Sequence, residues 1–286
     1  MGSCAGCCGA VCTSVFRNHR LKWQIDFQTP SNDLGGCLTS RTLFAVRVVL
    51  LLTWFGFWLN SLVYSLGPLN VPFGEWCSKF TNWTATLELI YLCFLTFTHF
   101  RALSLPALSA EEKGAISDRS NPWFANVAWY LQSTITTSTI IVTLIYWLLV
   151  HKKGREITVN LVALHGGGCL LSFVEVFISQ LPFQLSHGWL ALIVAATYLV
   201  YTAIFYGAGW TTKEGDRFLY SILDWSSPGK TIVVCLLIFF VAVPLVYFIV
   251  GFFIAARNRL SRTLADSQQK SATVELSPAN DDEVTV

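Results

Sequence analysis

Residues 231–255 read TIVVCLLIFFVAVPLVYFIVGFFIA, 25 consecutive positions without a charged side chain. About 20 apolar residues suffice to cross the hydrocarbon core of a bilayer. This run is also apolar all round, so it has no face to offer water. Toward the N-terminus five more runs meet the same length test, at 44–66, 83–100, 124–150, 158–181 and 189–210. Polar or turn-forming segments separate them: Gly67-Pro68, the charged stretch 101–123, residues 151–156, and Ser226-Ser227-Pro228-Gly229. The fourth run is the least regular, because Gly166, Gly167 and Gly168 place three poor helix formers inside it. The fold predicted is all-α, an integral membrane bundle of six transmembrane helices.

Composition agrees. Hydrophobic residues make up 53% of the chain and charged ones 13%, against about 25% charged in a water-soluble domain. Membrane lipids are therefore the first expected partners, and a net charge of +2 gives no reason to expect a nucleic-acid partner. The chain divides into three regions: a Cys-rich, basic head at 1–42, the six-helix membrane domain at 43–256, and a Ser, Asp and Glu-rich tail at 257–286 that is predicted to be disordered and cytoplasmic. Twelve of the 19 Lys and Arg residues fall on the side of the membrane that holds both termini, which predicts cytoplasmic termini. The host membrane is either the plasma membrane or an endomembrane.

The head begins Met1-Gly2-Ser3-Cys4-Ala5-Gly6-Cys7-Cys8, with Cys12 shortly after. Gly2 meets a loose form of the myristoylation signal. Cysteines beside a membrane and a basic stretch (Arg17 to Lys22) are candidates for S-palmitoylation. His19 with these cysteines makes only a partial zinc knuckle, so no metal and no cofactor is expected. The last residues, Val284-Thr285-Val286, have the form of a strand that adds to a PDZ-type groove.

Ionisable groups inside a bilayer are expensive enough to suggest function. On the second run Thr81, Thr84, Glu88, Tyr91 and His99 recur at near-helical intervals and predict one polar stripe. The fourth run carries His165, Ser172 and Glu175, and the third carries Gln132, Thr136, Thr139 and Thr143. Hydroxyl glue between helices is the plain reading of the third stripe. Arg47 on the first run is the expected neutralising partner of Glu175. Glu88 and His165 lack such a partner. With Thr81 they give a hydroxyl and a base converging from two helices, the minimum for hydroxyl-based covalent catalysis. Ser172 is a further supporting residue, and Glu88 or Asp224 is the expected carboxylate to orient the imidazole. His165-Gly166-Gly167-Gly168 looks like a lipase oxyanion motif, but the Gly-x-Ser-x-Gly elbow that accompanies it is absent from the sequence.

Four segments together resemble the rolling stone family of membrane proteins, relatives of the androgen-induced family: Phe80-Thr81-Asn82-Trp83-Thr84, the run Asn160 to Glu175, Gln180-Leu181-Pro182 with His187, and Leu223-Asp224-Trp225-Ser226-Ser227-Pro228-Gly229. The resemblance covers about residues 40 to 255. It implies six spans with cytoplasmic termini. In the androgen-induced relatives a membrane-embedded threonine and histidine hydrolyse fatty acid esters of hydroxy fatty acids, and by motif position these are Thr81 and His165. Rolling stone proteins are associated with cell fusion, which implies the alternative of a non-enzymatic membrane organiser acting in fusion or adhesion. A channel or transporter has only the polar faces in its favour, since no inverted repeat is visible.

Overall fold

A computed structural model of the chain describes residues 21–27, 39–105, 121–151, 156–179 and 181–275. Gly2, Cys4, Cys7, Cys8, Cys12, His19 and Val284 to Val286 lie outside these residues. Six helices, the first to sixth spans, are long and apolar enough to cross a membrane: Ser40–Leu66, Phe80–Leu103, Trp123–Val150, Val159–Ile178, Leu185–Gly207 and Pro228–Arg259. The architecture is the predicted all-α bundle. Because the spans alternate in direction, the turns after the first, third and fifth spans gather at one end of the bundle. The two terminal segments share the other.

The third span is the hub. More than half of its apolar window is buried, against 17% of the sixth span's, which faces outward along most of its length. The hub is built from small polar residues rather than large apolar ones. Thr136, Thr137, Ser138 and Thr143 each donate their hydroxyl proton to the carbonyl four residues back, at 2.8 Å. The glue reading of this stripe therefore holds at Thr139, whose hydroxyl reaches Ser172 of the fourth span at 3.5 Å, but not at Thr136 or Thr143. A hydroxyl bonded to its own helix needs no partner elsewhere and is small enough to let neighbouring helices approach closely.

Indole groups tie the helices where this hub leaves room. Trp54 on the first span donates to the carbonyl of Ala85 on the second at 2.9 Å, and Trp129 on the third donates to that of Pro182 at 2.5 Å. The fourth span is continuous through its three glycines, but it does not stay α-helical. Residues Ala163–Gly167 form one turn of π-helix, as do Tyr146–Val150 in the third span and Ile238–Ala242 in the sixth. Each π-turn inserts one extra residue and rotates the remainder of its span by about 100° relative to a regular helix. That is why His165 and Ser172, seven apart, do not share a set of neighbours.

At the end that carries the terminal segments, four helices meet in a buried polar network. The Arg47 guanidinium binds the Glu175 carboxylate, the Phe27 carbonyl at 2.6 Å, the Ser179 hydroxyl at 3.1 Å and Nδ1 of His99 at 2.9 Å. Guanidinium only donates, so His99 accepts at Nδ1 and carries its proton on Nε2, facing Ser40 at 3.2 Å. Arg257 of the sixth span donates to the carbonyls of Val176 and Ser179, which close the fourth span. Residues 21–27 of the head dock against this network, with Phe27 fully buried and Asn121 holding the Leu21 carbonyl at 3.0 Å.

The final helix runs to Glu275, so the tail is helical up to that residue where its composition predicts disorder. Nucleation is the costly step of helix formation. A span that enters already helical lets Leu, Ala, Gln and Lys residues propagate it.

Candidate functional site

The predicted polar stripe of the second span faces the interior throughout: Thr81, Thr84, Glu88, Tyr91 and His99 are all buried. The helix starts at Phe80, directly after a short helix at Phe73–Ser78, which sets Thr81 one residue into the first turn. Ser78 anchors this corner. Its hydroxyl meets that of Tyr201 on the fifth span at 2.6 Å, and its carbonyl accepts from Tyr198 at 3.1 Å.

A cleft of about 420 Å³ opens at this end of the bundle. Thr81 and His165 both line it, together with Tyr146, Asn160 and Tyr220. The structure thus brings the predicted hydroxyl and imidazole to one cleft. An apolar pocket adjoins the cleft, bordered by Ile141, Val142, Ile145, Leu199 and Ile238. Thr81, Tyr146, Val150 and Tyr220 line both spaces and form the seam between them. Two of the three π-turns contribute to this seam or to the pocket wall, and the third holds the histidine. Departures of this kind from regular helix are frequent at functional sites.

His165 is fixed on two sides. Its ring stacks on Tyr146 with centroids 3.5 Å apart, and its Nδ1 lies 2.9 Å from the carbonyl of Leu161, one turn earlier. A carbonyl only accepts, so Nδ1 carries the proton and Nε2 is the basic nitrogen of the neutral ring. The group that sets the tautomer is therefore a backbone carbonyl, not a carboxylate.

Neither predicted carboxylate takes that role. Asp224 accepts from the amide of Ser226 at 2.9 Å and shapes the turn that leads into the sixth span. Glu88 accepts from Ser172 at 3.3 Å, and Ser172 lies 3.5 Å from Thr139. These three belong to a separate buried cluster deeper in the bundle, and neither Glu88 nor Asp224 lines the cleft.

Tyr220 is the residue that sequence reasoning missed. It sits in the connection between the fifth and sixth spans and, like Thr81, lines both the cleft and the apolar pocket. Burial pushes its phenol up from the ordinary value of 10.0, so the hydroxyl keeps its proton at neutral pH. The connection is held over the cleft by the Lys213 amide, which donates to Glu75 at 2.7 Å, and by Trp225, which donates to Thr202 at 3.1 Å. Nothing in the sequence pattern distinguishes Tyr220 from Tyr201 or Tyr206 of the fifth span.

A family model described as protein rolling stone matches residues 12–271. Protein rolling stone of Drosophila melanogaster is 24% identical over 169 residues, which is 56% of this chain and 60% of that relative. The chain thus spans less than two thirds of the length of the curated relative it matches. No solved structure matches. The family match runs from the head through all six spans, and the chain belongs to the rolling stone family.

Proposed function

We propose that this rolling stone protein is an intramembrane lipid ester hydrolase, with Thr81 as nucleophile and His165 as general base. The observation that carries the reading is the position of Thr81 on the seam between a cleft that holds His165 and other polar side chains such as Asn160 and a pocket that is almost wholly apolar. An ester of a fatty acid needs both environments, one for the carbonyl and attacking groups and one for the acyl chain.

In this reading the Thr81 oxygen attacks the ester carbonyl while its proton passes to Nε2 of His165. The Tyr220 hydroxyl, kept protonated, donates to the oxygen that becomes negative. As the carbon–oxygen bond of the alkoxy group breaks, Nε2 returns the proton to the departing alcohol. Water then enters from the cleft, gives a proton to the same nitrogen and attacks the acyl carbonyl; as the bond to the Thr81 oxygen breaks, Nε2 returns that proton to Thr81 and the fatty acid is released. Fatty acid esters of hydroxy fatty acids are the substrate class that the likeness to the androgen-induced relatives supplies. Asn160 lines the cleft with a buried side-chain oxygen that has no hydrogen-bond partner, which suits a polar substrate group.

The test is labelling of the purified chain in lipid nanodiscs with a lipid-ester active-site probe, and then hydrolysis of a fatty acid ester of a hydroxy fatty acid. Wild-type protein should be labelled at Thr81 and turn over. Thr81→Ala and His165→Ala should each lose both signals while retaining the unfolding midpoint of wild type. Undiminished hydrolysis in either variant sinks the reading and leaves the membrane-organiser alternative ahead.

A further inference from the structure

The Glu88 carboxylate belongs to no part of the proposed reaction, yet it is 1% exposed and lies inside the membrane-spanning region. One of its oxygens, Oε1, accepts from Ser172. The other, Oε2, is buried without any hydrogen-bond partner. An ionisable group at this depth is normally paired with a cation or a donor. Arg47, the buried arginine of the neighbouring first span, is already committed to Glu175.

Beside Glu88 lies a small cavity with room for about one water-sized sphere. Gly168 helps to create it. A methyl group at that position would run into Glu88 Oε2 and come within 3.0 Å of the Trp54 ring. The other polar walls are Thr84, Thr139 and Thr143. All three spend their hydroxyl protons elsewhere. Thr84 donates to the Thr81 carbonyl at 2.9 Å, Thr143 to the Thr139 carbonyl at 2.8 Å, and Thr139 to either the Thr136 carbonyl at 3.1 Å or Ser172 at 3.5 Å. Each is left with lone pairs to offer. Cys169 adds a thiol to the lining.

A buried cavity walled by a carboxylate oxygen and three acceptor hydroxyls repels another acceptor and attracts a small hard cation, which prefers oxygen ligands. We propose that Glu88, Thr84, Thr139 and Thr143 form a sodium site, with Gly168 providing the space. Sodium is smaller than water, and bound to Glu88 it cancels the one buried carboxylate that has no basic partner among the described residues. The site is independent of the Thr81 chemistry.

Other titratable groups near Glu88 are Tyr91 on the same span and Cys169 on the fourth. The first and third spans contribute only Trp54, Val142 and the threonines to this cavity.

The experiment is thermal unfolding of the full chain in lipid nanodiscs, with sodium, potassium or choline chloride at equal ionic strength. Sodium should raise the midpoint by several degrees over choline in a saturable way, as a ligand of the folded state does. Glu88→Gln and Gly168→Ala should remove the sodium effect, and Thr81→Ala should keep it, which separates this site from the hydrolase. A midpoint that is the same in all three salts, or a sodium effect that survives in Glu88→Gln, overturns the proposal.

Discussion

Arg47 and Glu175, 128 residues apart in sequence, meet at 2.7 Å across the interface of the first and fourth spans, with 0% and 1% of their side chains exposed. The pair is the centre of the network that also holds Phe27, His99 and Ser179. Removing one partner strands a charge in a low-dielectric interior, whereas replacing both with apolar groups removes the need for pairing. Arg47→Met or Glu175→Leu alone should cost on the order of 3–5 kcal/mol. The double variant should recover most of that. Equilibrium unfolding of the four proteins in mixed micelles measures the coupling, and a double variant as unstable as the singles combined would contradict it.

Gly251 and Gly56 are both glycines inside apolar helices, yet they should respond oppositely to alanine. A methyl at Gly251 would lie 2.6 Å from the ring of Phe183, while one at Gly56 meets nothing within 4 Å. Gly251→Ala is expected to lose about 1–3 kcal/mol through overpacking. Gly56→Ala should gain about 0.5–1 kcal/mol from helix propensity. Phe183→Leu should partly rescue Gly251→Ala, and the absence of any rescue would point away from the ring as the obstacle.

Tyr220→Phe keeps the ring and removes only the hydroxyl. If that hydroxyl donates to the developing oxyanion, hydrolysis should fall by about 100-fold with little change in substrate affinity. Stability should change much less than activity, because the loop stays pinned through Lys213 and Trp225. Single-turnover rates separate the two effects. A variant with unaltered rate but weaker binding would move Tyr220 from the chemistry to substrate positioning.

Asp26 makes docking of the head segment pH-sensitive. Burial lifts its carboxyl from 3.8 to about 6, against the lowering effect of the Lys22 amide that donates to it at 2.6 Å. With the docked value raised, the docked state holds the proton more tightly. Docking is therefore strongest below 3.8, weakens as the pH climbs through about 6, and levels off above that. Amide exchange in residues 21–27, corrected for intrinsic rates, should show more protection at about pH 5 than at about pH 7.5. Asp26→Asn should flatten this profile and increase protection at the higher pH. Equal protection at both pH values in wild type would count against it.

The sequence by itself determined the six spans, because solvation by lipid is a local property that any run of 20 apolar residues must satisfy alone. It also determined the inward stripe of the second span and the Arg47–Glu175 pair, since a charge within the bilayer has few ways to be neutralised. Tertiary structure alone decided the rest. The π-turn at Ala163–Gly167 breaks the seven-residue periodicity that would join His165 to Ser172 in a regular helix, and so sends His165 to the cleft and Ser172 to Glu88. A backbone carbonyl, Leu161, orients the imidazole in place of Glu88 or Asp224, and every residue has such a carbonyl, so no side-chain pattern marks it. Tyr220 joins Thr81 in the lining of the cleft because contacts at Glu75 and Thr202 fold its loop over it, contacts that depend on how helices far apart in sequence pack. Gly168 and Gly56 are the same residue in similar runs, and only the side chains that neighbouring helices bring to each make one indispensable and the other replaceable.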